Sequence, residues 1–148
     1  MTIQELFEKT ISAGASDLHL LAGSSPTLRL DGRLTAIESY TPLTSAELES
    51  LALSILTPEQ KEIFIANRSI DFSYAYGGGD YGDKGRFRVN YYFQRGTVAC
   101  AFRLLPAKVK TIEELFLPKI CHSFSNLKQG FILVTGPTGH GKSTTLAA

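Results

Sequence analysis

Residues 70–105 read IDFSYAYGGGDYGDKGRFRVNYYFQRGTVACAFRLL, and their pattern decides the fold class. Over Ile70–Tyr76 the side chains of Ile70, Phe72, Tyr74 and Tyr76 fall on one face and those of Asp71 and Ser73 on the other. That period of two marks a half-buried strand. The glycine-rich stretch Gly77–Gly85 then reads as a flexible turn. Arg86–Gln94 and Thr97–Leu105 follow as two more strands about a short turn at Arg95-Gly96.

Upstream of this block the periodicity changes. Ile3, Leu6, Phe7 and Ile11 recur at helical spacing, and Thr2 followed by Glu5 offers a capping box, so the chain opens on an amphipathic helix. Asp17–Ala22, Thr27–Leu30 and Arg33–Ile37 read as short strands, the last two joined by Asp31-Gly32, a dipeptide favoured in two-residue hairpins. Thr44 with Glu47, and Thr57-Pro58 with Gln60, begin two further helices before Ala66. Thr111 with Glu114 is a fourth helix start. The order helix, strands, helices, strands predicts an α+β domain, a mixed antiparallel sheet with helices, over residues 1–105. Residues 106–111 read as a linker, and 112–148 as the beginning of a second domain.

Composition narrows the function classes. With 43% hydrophobic and 20% charged residues among 148, and with 13 Gly and 6 Pro, the chain is neither disordered, collagen-like nor a coiled coil. A formal charge of +1 gives no electrostatic case for nucleic acid or an anionic membrane. The aromatic run Tyr91, Tyr92, Phe93 lacks the basic stripe of a base-stacking surface and is assigned to sheet packing. Cys100 and Cys121 cannot complete a four-ligand zinc site and read as reduced structural thiols. The first twenty residues carry Glu5, Glu8 and Asp17, unlike a signal peptide, and no run reaches the 18 or so apolar residues of a membrane span, so a cytoplasmic location is expected.

The chemistry is concentrated near the end. Phe131–Val134, read as an apolar strand, leads into Gly136-Pro137-Thr138-Gly139-His140-Gly141-Lys142-Ser143, followed by Thr144 and a helix start. This fits G-x-x-x-x-G-K-[ST] at every fixed position and in the required strand-to-helix setting. Gly136, Gly139 and Gly141 let backbone N–H groups turn toward an anion at the positive end of the following helix. Lys142 is then expected to reach the β- and γ-phosphates of ATP and Ser143 to ligate Mg²⁺, with Pro137, Thr138, His140 and Thr144 completing the loop. His140 stands at a free position and is expected to face solvent. Hydrolysis also needs an acidic residue on a later strand. The 148 residues are therefore expected to be the front part of an ATPase, inactive alone.

Two residue groups remain. Arg86 and Arg88 share a strand face and Arg103 lies on the next strand, so their guanidiniums could converge on one side of the sheet. On the residues alone, a solvated edge with salt bridges to groups such as Asp71 is the favoured account. Asp17 and His19 also share a strand face and read as a hydrogen-bonded structural pair that fixes register or an interface, since no nucleophile accompanies them.

GASDLHL (14–20), LRLDGRL (28–34), GRFRVN (85–90), AFRLLP (101–106) and FILVTGPTGHGKSTTLAA (131–148) together resemble the type IV pilus retraction ATPases of the secretion-ATPase superfamily, over essentially the whole chain. The resemblance implies a PAS-like N-terminal domain, then the first strand and phosphate loop of a RecA-like α/β ATPase domain. It implies a homohexamer acting with a platform protein at the cytoplasmic side of the inner membrane, and twitching motility as its outcome. It also implies that Arg88 and Arg103 reach nucleotide phosphates at a domain or subunit boundary, which reverses the preference for a solvated edge. Members usually carry a small residue or Ser where His140 stands, a departure at a tolerant position. Retraction ATPases start directly with this domain, whereas pilus-assembly and type II secretion ATPases usually carry an extra domain before it. A pilus-assembly or secretion ATPase, and a non-enzymatic oligomerisation module, are the competing readings. Another phosphate-loop enzyme is disfavoured by the segments ahead of the loop.

Overall fold

Short reciprocal hydrogen bonds start the helices where the sequence marks them. Thr2 accepts from the Glu5 amide while Glu5 accepts from the Thr2 amide, at 3.2 and 3.1 Å, opening α1 (Ile3–Ser12). Thr44 with Glu47 does the same for α2 (Ser45–Leu53), and Thr57 with Gln60 for α3 (Pro58–Asn67), which has Pro58 in its first turn. The structure is a computed structural model describing residues 1–77, 84–105, 110–137 and 140–148. The middle of the glycine-rich turn, most of the 106–111 linker, and Thr138 and Gly139 of the phosphate loop lie outside the described residues.

Six strands form one sheet: β1 (Asp17–Leu21), β2 (Thr27–Leu30), β3 (Arg33–Ala36), β4 (Ser69–Tyr76), β5 (Gly85–Gln94) and β6 (Thr97–Leu105). Their order is β3-β2-β1-β6-β5-β4, and the five pairings are all antiparallel. Both tight hairpins put two consecutive residues at positive φ, Asp31 and Gly32 at 47° and 81°, Arg95 and Gly96 at 51° and 83°. This geometry matches the right-handed twist of the strands they join. The two hairpin systems meet where β1 pairs with β6, from Asp17 opposite Arg103 to Leu21 opposite Ala99.

One face of the sheet carries the core. Leu18, Leu20, Phe87, Val89, Tyr91, Cys100 and Phe102 are buried there with Ile3, Leu6 and Phe7 of α1, Leu48 and Ala52 of α2, and Phe64 of α3. Phe7 stacks on Phe87 with ring centroids 4.4 Å apart and meets Phe102 edge-on at 5.2 Å. Phe64 stacks on Phe93 and meets Tyr91 edge-on, so the sheet-packing assignment of Tyr91 and Phe93 is what the structure shows. Tyr92, opposite Ala99, lies on the other face with Asp17, Arg88 and Arg103.

The chain divides into two units, Met1–Pro106 and Ala107–Ala148. In the second, Thr111 and Glu114 exchange their expected hydrogen bonds at 2.9 and 3.2 Å, but the fourth helix start yields a single turn. Phe116 enters the left-handed region at φ 53° and Pro118 follows, which closes the turn before an α-helix can propagate. The helices of this unit are α4 (Ile120–Ser125) and α5 (Lys142–Ala147).

Phe131–Val134, expected as a strand, has no strand structure. Phe131 and Leu133 are 86% and 70% exposed. A strand forms by pairing, and among the described residues of this unit there is no second strand to pair with.

Candidate nucleotide site and the arginine row

The phosphate loop lies in the second unit. Gly141 precedes α5 as its N-cap at φ 80°, a conformation in which a side chain would be strained, so glycine is what lets the loop turn into the helix. The first backbone bond of that turn runs from the Thr145 amide to the Gly141 carbonyl at 2.9 Å. The amides of Lys142, Ser143 and Thr144 therefore have no acceptor within the helix. Lys142 folds back, its ammonium donating to the carbonyls of Gly136 at 2.7 Å and Pro137 at 2.8 Å. A Cβ built on Gly136 or Gly141 would meet nothing within 4 Å, so open space adjoins the loop.

These features suit a phosphate. Unpaired N–H donors at a helix start and a lysine resting on neutral carbonyls form a donor set that an anionic oxygen satisfies better than a carbonyl does. The Ser143 side chain is exposed in the first turn, as is His140 just before it. Among the described residues no three His, Cys, Asp or Glu side chains gather into a metal cage. Cys100 is buried and Cys121 half-buried, both as free thiols, and burial pushes the Cys100 thiol well up.

The arginines lie in the first unit, on the sheet face away from the helices. Register brings them into one row: Arg29 of β2 stands opposite Asp17 of β1, Asp17 opposite Arg103 of β6, and Arg103 opposite Arg88 of β5. Directly opposed residues of antiparallel strands share a face. Arg86 shares that face two residues from Arg88 and donates to the Ser73 hydroxyl at 2.8 Å. Arg88 holds the exposed Asp71 through both Nε and Nη2, the shortest contact 2.9 Å. This is the ion pair that the solvated-edge account anticipates. Asp71 in turn keeps the Arg88 guanidinium firmly protonated.

Asp17 departs from expectation. It shares a face with His19, but its carboxylate makes its hydrogen bonds elsewhere. Oδ1 accepts from Arg103 Nε at 3.0 Å, and Oδ2 accepts from the Ser16 hydroxyl at 2.8 Å and lies 3.4 Å from Arg29 Nε. The cross-strand arginines sit directly opposite, whereas His19 is the next residue along the same face of its own strand, so the arginines win the contact. Burial alone would raise the Asp17 carboxyl, but the Ser16 and Arg103 hydrogen bonds and the Arg103 charge outweigh it and hold the group below the usual carboxylate range. Burial, opposed by Asp17 and reinforced by Arg29 and Arg103, pushes the His19 imidazole down. Its Nε2 is buried without a hydrogen-bond partner.

Arg29 is the member of the row that sequence reasoning missed. It enters the row through the pairing of β1 with β2, which no local signal in the sequence marks, and it also donates to the Gly32 carbonyl at 3.1 Å.

No family model matches the chain. It is 40% identical over all 148 residues to the type IV pilus retraction ATPase PilT of Pseudomonas aeruginosa, and spans 41% of that protein. Its structure superposes on the crystal structure of the pilus retraction motor PilT with bound ADP at a TM-score of 0.86, with 40% identity, covering 99% of this chain and 41% of that one. The ATPase DotB of Legionella pneumophila gives 0.78 at 27% identity, over 99% of this chain and 41% of its own. The chain thus spans about two-fifths of the length of these relatives. From end to end, it matches the N-terminal part of PilT, and its structure matches those of the PilT and DotB secretion ATPases.

Proposed function

We propose that the chain is the N-terminal portion of an ATP-hydrolysing motor that drives type IV pilus retraction and twitching motility. The observation that carries this is the match to PilT over all 148 residues of the chain, with every fixed position of the phosphate loop intact from Gly136 to Ser143. On this reading residues 1–105 are a PAS-like domain, 106–111 a linker and 112–148 the start of a RecA-like ATPase domain. The antiparallel sheet covered on one face by helices, and the division of the chain at residue 106, support it. The complete protein works as a homohexamer with an inner-membrane pilus platform protein, peripheral to the cytoplasmic side of that membrane. No helix among the described residues is long and apolar enough to cross a membrane.

Each residue then has a task. The backbone N–H groups of the loop between Gly136 and Thr144, of which Pro137 has none, cradle the ATP phosphates, and Lys142 leaves its two carbonyls to take the β- and γ-oxygens. Ser143 would hold Mg²⁺, which when bound would supply charge neutralisation to the phosphates. Arg88 and Arg103 stabilise charge developing on the transferred phosphoryl group. A secretion ATPase of the same superfamily is the second reading, favoured by the likeness to DotB.

The deciding experiment is Lys142→Ala in the complete protein. Loss of this preorganised contact is expected to lower steady-state phosphate release by about 10²-fold or more and to abolish twitching. Undiminished turnover would remove the motor reading. Lost turnover with twitching intact would favour the secretion ATPase.

A further inference from the structure

Asp17 is a buried carboxylate on the side of the sheet away from the helices. Its side chain is 10% exposed, against 67% for Arg103 and 36% for Arg29, the two cations it contacts. A carboxylate so placed costs free energy unless its oxygens are filled by charged or hydroxyl donors. Here they are divided: Oδ1 is given to Arg103, and Oδ2 to Ser16 and Arg29. The bond to Arg103 is made by Nε, the nitrogen nearest the aliphatic stem. Anchoring a guanidinium there fixes the plane of the whole group while the charge stays at the surface. Arg88 is held differently, by a bidentate grip from Asp71, which is itself 45% exposed and open to exchange with water.

We infer that Asp17 is a positioning residue, which aims the Arg103 guanidinium at the nucleotide phosphates by holding its Nε from the adjacent strand. This rests on the proposed role of Arg103 and deepens it. An exposed arginine otherwise samples many rotamers, and ordering it beforehand lowers the cost of reaching the transition state. Ser16 and Arg29 hold the other oxygen and keep the carboxylate from turning away from Arg103.

The test is ATP hydrolysis by the complete protein bearing Asp17→Asn, Arg103→Ala and both together. Asp17→Asn keeps the side-chain size but cannot offer a charged acceptor. It is expected to lower kcat at least tenfold with KM for ATP little changed. The double variant is expected to be no slower than Arg103→Ala alone, because the two residues act as one unit. Should Asp17→Asn fail to fold, Asp17→Glu keeps the buried charge and displaces it by one methylene. The same kcat loss at steady KM is expected there. Normal kcat in a folded Asp17 variant, or a double variant slowed by the product of the two single effects, would overturn the positioning role while leaving Arg103 its own. Full turnover in Arg103→Ala would overturn the role of Arg103 and the inference with it.

Discussion

Tyr91 sets a hydroxyl in the middle of the aromatic core, ringed by Phe64, Phe72 and Phe102 and opposite Cys100, with no hydrogen-bond partner for its oxygen. Burial pushes its ionisation well up, so the group stays neutral. An unsatisfied buried hydroxyl loses its bond to water without gaining another. Tyr91→Phe, which keeps the ring contacts and removes the orphan oxygen, is therefore expected to leave stability unchanged or raise it by about 1 kcal/mol. Urea denaturation of the two proteins measures this, and a loss of more than that amount would mean the hydroxyl has a partner. At this scale the sequence was legible for what each residue is and not for whom it meets. Asp17 reads with His19 because the two are two positions apart, while its true partners, Arg29 and Arg103, are brought in by the registers of β1 with β2 and β6. No local pattern encodes those registers.

The elements were legible where their causes are local. A capping Thr with Glu or Gln three residues on starts α1, α2 and α3, and the dipeptides Asp31-Gly32 and Arg95-Gly96 make the two tight hairpins. Phe131–Val134 failed as a strand for the opposite reason, since its partners must come from elsewhere in a chain. The turn before β6 offers a clean test of a local cause. Gly96 stands at φ 83° with no atom within 4 Å of where a Cβ would sit, so Gly96→Ala meets conformational strain but no collision. The cost is expected to be about 1 kcal/mol, the difference between glycine and an L-residue in the left-handed region. Arg95 already occupies that region at φ 51°. Comparing denaturation midpoints of Gly96→Ala and Gly96→Asn tests whether strain is the cost, because Asn tolerates positive φ and is expected to recover part of the loss.

At the scale of the whole molecule, the arginine row and the phosphate loop belong to different units of the chain, Met1–Pro106 and Ala107–Ala148. On the proposed reading, Lys142 and Mg²⁺ would leave part of the charge developing on the γ-phosphoryl group uncompensated, and a guanidinium presented from outside the loop would suit it. In the proposed homohexamer that guanidinium would come from a neighbour, and action in trans is the arrangement we expect for Arg88 and Arg103. Arginine fingers contribute about 10³-fold or more to turnover, so Arg88→Ala or Arg103→Ala should depress the hydrolysis rate far more than nucleotide affinity. Mixing decides between trans and cis. Subunits carrying Arg88→Ala keep an intact loop, and subunits carrying Lys142→Ala keep an intact arginine row, while each is expected to hydrolyse almost no ATP in a ring of its own kind. In mixed rings an intact loop meets an intact arginine wherever the two kinds adjoin in the right order, so part of the activity should return in proportion to those junctions. An arginine acting on its own subunit's nucleotide would gain nothing from such a neighbour. With subunit exchange confirmed by labelled subunits, mixed rings that stay inactive would place the action of Arg88 in cis or reduce it to its ion pair with Asp71.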